Sequence, residues 1–128
     1  MNIYKILLVG AGGFIGSIAR YLTAIAIAKR LNSVFPYGTL TVNFLGSFLL
    51  GLILAVVMKK TGTQMDEWKL FLGTGFCGGF TTFSAFTFEN LSLFEQKLVG
   101  TAVLYMTISL IGGILAVGAG VILGRNIV

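Results

Sequence analysis

The sequence predicts an all-α integral membrane protein with four spans, and three observations support that reading. Apolar residues make up 56% of the 128 and charged residues 10%, with mean hydropathy +0.97, far from a soluble domain. Four segments reach the roughly 20 apolar residues needed to cross the hydrocarbon core. The connections between them are short, and no polar stretch is long enough to build a separate soluble domain. One four-span membrane domain is therefore expected over residues 1–128.

The first span is expected at about 6–28 and opens without a cleavage pattern for a signal peptide. Within it Gly12, Gly16 and Arg20 recur every four residues and share one helix face. Small residues at that spacing let helices approach closely. An arginine there either snorkels to the headgroups or faces water, a partner or a substrate. Both readings of Arg20 put positive charge near one mouth.

The second span, about 37–58, follows Pro36, whose missing N–H does no harm at a helix start. It carries Asn43, about two turns in, with Gly46 and Ser47 one turn further on. An amide in hydrocarbon needs a partner. An interhelical hydrogen bond is the ordinary outcome, and donation to an anion is the functional one.

The third span, about 70–88, breaks the rules for a membrane helix. Gly73, Gly75, Gly78 and Gly79 precede Thr81 and Thr82, and Phe80, Phe83, Phe86 and Phe88 alternate with Ser84 and Thr87 up to Glu89. Each glycine loosens a helix by roughly 1 kcal/mol relative to alanine. Backbone unwound at membrane depth survives only against protein, water or an ion. The third helix is therefore expected to be broken at an ion or substrate site.

The fourth span, about 98–124, pairs Tyr105 with Ser109 at helical spacing and carries a packing stripe at Gly112, Ala116, Gly120 and Gly124. Cys77 has no histidine to activate it and reads as a small buried residue. Asp66 and Glu67 fall in a loop, and Glu89 and Glu95 at or beyond a span end, so no carboxylate pair is placed for acid–base work. An enzyme is not expected.

Arg20, Asn43, Thr82, Ser84, Tyr105 and Ser109 together supply N–H and O–H donors for a small dehydrated anion. Phe83 and Phe86 lie on roughly one side of a helix, and ring edges are electropositive. Carbonyls freed around Gly78–Thr81 are acceptors and suit a cation, so two distinct sites are implied.

Loop charges hardly bias orientation. Lys5, Lys59, Lys60, Lys69 and Arg125 fall on one side; Lys29, Arg30 and Lys97 fall on the other, with Arg20 if it reaches its helix end. Two readings follow: one orientation chosen by this weak signal or by the Lys59/Lys60 pair, or insertion in both orientations with two copies pairing head to tail.

The segments GGFIGSIARY (12–21), GTLTVNFLGSFLLG (38–51) and GFCGGFTTFSAFTFE (75–89) resemble the small bacterial fluoride channels, the Fluc or CrcB family, over essentially the whole chain. The resemblance implies an antiparallel dual-topology homodimer in the bacterial inner (cytoplasmic) membrane. It implies two fluoride pores lined by both subunits, exporting fluoride passively to relieve its toxicity. It places Asn43 near the pore, Phe83 and Phe86 as its aromatic lining, and Tyr105 and Ser109 on a polar track. It assigns the backbone carbonyls of Gly78 and Thr81 to a structural sodium ion at the dimer centre. The family's usual threonine between the two phenylalanines is Ala85 here, and Gly113 and Val117 replace hydroxyls beyond Ser109. Two rivals are a small proton-coupled drug exporter, which needs a carboxylate deep in a span, and a non-transporting membrane assembly protein.

Overall fold

The computed structural model describes residues 2–60 and 62–127, and every regular element among them is helical. Helix α1 spans Ile3–Leu31; the Asn2 side chain caps it by accepting from the Tyr4 N–H at 3.0 Å. It ends at Asn32, whose left-handed backbone (φ 39°) returns its N–H to the Ala28 carbonyl. Helix α2 spans Tyr37–Lys59 directly after Pro36, and helix α6 spans Val99–Ile127. Among the described residues α1, α2 and α6 are long and apolar enough to cross a membrane. The protein is an integral membrane protein.

Between α2 and α6 the chain does not form one helix. A short helix α3 (Thr63–Trp68) runs into a nine-residue π-helix, Lys69–Cys77, then a single turn α4 (Gly78–Phe80). Thr81 and Thr82 are extended, with ψ of 160° and 125°. Helix α5 (Phe83–Glu95) resumes after them, capped by the Thr82 hydroxyl accepting from the Ala85 N–H. A left-handed Lys97 (φ 61°) then turns the chain into α6.

The boundaries differ from the sequence reading in two places. Helical structure begins at Thr63, inside the expected polar connection, and α5 continues past Phe88 to Glu95. The second difference has a clear physical basis. ENLSLFE holds neither glycine nor proline, and the Glu89 carboxylate is satisfied inside the protein, so nothing stops the helix there.

Glycine spacing sets the packing. Helix α1 lies against the π-helix so closely that a Cβ on Gly12 would meet the Phe71 carbonyl oxygen, and one on Gly16 the Phe76 carbonyl oxygen. Gly75 and Gly79 answer from the other side, against Val9 and Gly13. The stripe on α6 works similarly against α2: Gly112 sits under the Phe44 ring, Gly120 against the Phe48 carbonyl and Gly124 against Ala55. Buried side chains are few, chiefly Val42, Cys77, Phe80, Leu93, Ala102 and Tyr105, while Phe14, Leu22, Ile114 and Leu115 point outward. That outward apolar surface is what a lipid environment demands.

Candidate functional site

The break is confined to two residues, and the sequence around it is arranged to receive what it releases. In an uninterrupted helix the Thr82 N–H would bond the Gly78 carbonyl. It donates instead to Asn43 Oδ1 at 2.7 Å, and Asn43 Nδ2 donates to the Thr82 carbonyl at 3.0 Å. The Ala85 N–H, which would reach the Thr81 carbonyl, goes to the Thr82 hydroxyl. The Gly79 carbonyl accepts from Arg20 Nε at 3.0 Å. The glycines Gly78 and Gly79 remain helical, so they do not themselves unwind the chain. Gly79 serves close approach to α1, and the diversion happens at the two threonines.

Asn43 thus braces the break with both ends of its amide, which was the ordinary reading of an intramembrane asparagine. Its amide still has one unused N–H, since a side-chain NH₂ carries two. Arg20 does not simply reach for headgroups; it is half-buried and ties α1 to the break.

Two cavities flank this brace. The larger, about 650 Å³, is an open groove holding Asn43, Thr82, Phe83, Phe86 and Ser109, together with Gly78 and Thr81. The smaller, about 390 Å³, lies between the C-terminal end of α1 and the start of α2, and contains Arg20, Thr39 and Glu89. Thr82 lines both cavities.

Within the groove the Phe83 and Phe86 rings sit 5.7 Å apart, tilted by 36°. Phe83 is 75% exposed, projecting from its own chain, whereas Phe86 is anchored edge-on to Tyr105 at 5.1 Å. The Ser109 Oγ is buried with no hydrogen-bond partner among the described residues. A buried hydroxyl without a partner costs free energy unless water or a ligand meets it.

Tyr105 and Ser84 line neither cavity. Ser84 is exposed and shares a 3.2 Å contact with the Thr82 hydroxyl. Tyr105 is 0% exposed and donates its hydroxyl to Glu89 Oε2 at 2.8 Å; the Thr39 hydroxyl donates to Glu89 Oε1. Glu89, Thr39 and the buried Asn90 are the polar residues that sequence reasoning passed over. Glu89 was placed at a span end, whereas α5 continues through it to Glu95. The uninterrupted ENLSLFE run was the signal that could have found it.

The Gly78 and Thr81 carbonyls are among those whose helical donors are diverted, here to Asn43 and to the Thr82 hydroxyl. A Cβ on Gly78 would meet nothing of its own chain within 4 Å. No cluster of three or more His, Cys, Asp or Glu side chains lies among the described residues. Neutral backbone oxygens alone fit a monovalent cation better than calcium or magnesium, which recruit carboxylates.

Comparison with known proteins converges on one family. The family model described as "CrcB-like protein, Camphor Resistance (CrcB)" matches residues 7–121. A protein of Chlorobium chlorochromatii (strain CaD3) named "Fluoride-specific ion channel FluC" is 49% identical over 120 residues, covering 94% of this chain and 92% of that protein. Relatives of the same name from Agrobacterium fabrum (strain C58 / ATCC 33970) and Caulobacter sp. (strain K31) are 46% and 42% identical over 123 residues. These alignments cover 96% of this chain, with 98% and 96% of the respective relatives. With the family model matching residues 7–121 and these relatives covering nearly the whole chain, the chain belongs to the CrcB-like family.

Proposed function

We propose that this protein is a fluoride channel of the bacterial inner membrane, exporting fluoride passively, and not an enzyme. The carrying observation is the groove beside the break, where an unpartnered Ser109 hydroxyl, the Asn43 amide and two phenylalanine rings converge. Relatives at 42–49% identity that bear the name of a fluoride-specific channel support the choice of anion. A dehydrated anion takes its replacement donors from O–H and N–H groups, and ring edges add a weaker attraction.

The working unit is an antiparallel homodimer of four-span subunits, in which α3 to α5 form the third, broken span. An open groove beside the break is the face a second copy covers. Nearly balanced loop charges favour both orientations in one membrane. C-terminal tags are expected to report from both sides of the membrane within one cell population; one-sided reporting would defeat the antiparallel pair.

The Gly78 and Thr81 carbonyls of both copies would hold a sodium ion between the two subunits. When bound it supplies fixed positive charge and ties the two breaks together. Replacing sodium exhaustively with a large organic cation is expected to loosen the dimer, measured by its thermal dissociation in detergent, as well as to lower flux. Full stability and full flux without sodium would remove the ion from this account.

Flux of fluoride from liposomes at a clamped voltage, with chloride as competitor, tests the function directly. Phe83→Ile and Phe86→Ile keep bulk and lose the ring quadrupole, and each is expected to lower flux at least tenfold with the dimer intact. Phe83 packs so little against its own chain that a loss there reports on conduction, not on folding. Unchanged flux in both variants returns the pair to packing.

A half-buried Glu89 supplies the carboxylate that a proton-coupled exporter would require. The same liposomes separate the two readings. Channel flux follows voltage with no pH gradient; an exporter's flux needs the gradient.

A further inference from the structure

We propose that the Lys69 ammonium is the electrostatic mouth of the groove, raising the local concentration of the anion that passes the break. The inference rests on the fluoride-channel reading and adds a residue to it. Among the described residues Lys69 is the single charged side chain lining the groove. It is the first residue of the π-helix, nine positions before Gly78. The groove is also lined by the hydroxyl-bearing residues Thr74, Ser47, Ser109 and Thr82, so the ammonium shares it with potential donors, while the Thr81 hydroxyl is already donated to the Cys77 carbonyl.

Asp66 and Glu67 lie on α3, outside the groove lining, and the Glu67 carboxylate accepts from the Tyr4 hydroxyl on α1 at 3.4 Å. A unit charge about 7 Å from an anion in a water-filled mouth is worth about threefold in occupancy. Low-dielectric walls focus that field along the groove. Because the effect is long-range electrostatics, salt must erase it: the Debye length falls from about 30 Å at 0.01 M to about 3 Å at 1 M.

The test is fluoride flux from liposomes of neutral phospholipid, at 0.01 M and at 1 M of an impermeant salt. Wild type is compared with Lys69→Arg, Lys69→Gln and Lys69→Glu, with Lys60→Gln, a surface lysine off the groove, as control. At low salt Lys69→Gln is expected to lose about threefold and Lys69→Glu about ninefold, while Lys69→Arg and Lys60→Gln keep wild-type flux. At 1 M all five converge. If wild type carries no fluoride, the channel reading itself fails. If wild type conducts and Lys69→Gln matches it at low salt, the inference alone fails. An equal loss at both salt concentrations would mean a structural lysine and also overturns it. So does a deficit seen only when phosphatidylglycerol is added, which would assign Lys69 to the headgroups.

Discussion

Gly16→Ala is expected to lower the stability of the folded subunit by on the order of 2–3 kcal/mol, and Gly12→Ala by a similar amount. One methyl group is added in each case, into a position where the Phe76 or Phe71 carbonyl oxygen already stands. Overpacking a core costs about 1–3 kcal/mol when flexible side chains can yield. Here the obstruction is backbone of the π-helix, which can retreat only by separating from α1. That separation would also stretch the Arg20 bond to the Gly79 carbonyl. Gly10→Ala, where a Cβ meets nothing within 4 Å, is the matched control and should stay at wild-type stability. Thermal unfolding in detergent, read beside the amount of monodisperse protein, checks the contrast. If all three variants unfold at the wild-type temperature, the close packing of α1 on the π-helix is not a determinant of this fold.

Asn43→Asp is expected to cut fluoride flux by more than tenfold, and by more than Asn43→Ser. The substitution keeps an acceptor for the Thr82 N–H but sets a carboxylate oxygen against the Thr82 carbonyl, where an N–H now donates. Two acceptors face each other, and a charge is left in a span, where an aspartate costs about 2.5–3.5 kcal/mol on insertion scales. Every 1.4 kcal/mol is a factor of ten, so even half of that penalty falling on the conducting state gives the stated loss. The same charge repels an anion in the groove, so brace and donor roles predict the same direction. Asn43→Ser separates them. Its shorter hydroxyl cannot hold both Thr82 groups, so lost bracing appears as lower thermal stability alongside lower flux. Loss of flux at unchanged stability would assign Asn43 to the ion. Normal flux through Asn43→Asp would exclude both roles.

Much of this molecule was legible from residue order, for reasons that can be named. Length and apolarity alone place α1, α2 and α6, because each is self-contained in its hydrogen bonding and needs only about 20 apolar residues. The stripe Gly112, Ala116, Gly120 and Gly124 announced a packing face, since i, i+4 spacing puts those residues in one line and only small ones admit a second backbone. GGFTTF announced a break.

What went unread depends on contacts between segments far apart in the chain. Four glycines in seven residues suggested that glycine unwinds the helix. Yet Gly73 and Gly75 sit in a π-helix, Gly78 and Gly79 in an α-turn, and the extended residues are Thr81 and Thr82. Propensity states how easily a helix yields, whereas where it yields is decided by who takes the released groups. Here those are Asn43, 39 residues upstream of Thr82, and Arg20, 59 upstream of Gly79. Glu89 and Tyr105 show the same limit. Residue order places Glu89 at a span end, and the family resemblance places Tyr105 on a polar track. Only the juxtaposition of α2, α5 and α6 turns them, with Thr39, into one hydrogen-bonded group around a half-buried carboxylate. Composition and spacing determined that the chain enters a membrane, which faces pack and which segment breaks. The site of the break, the partners of its freed backbone and the division of polar residues between two cavities were set by tertiary packing. In hydrocarbon, every polar group must find its partner wherever the fold brings one.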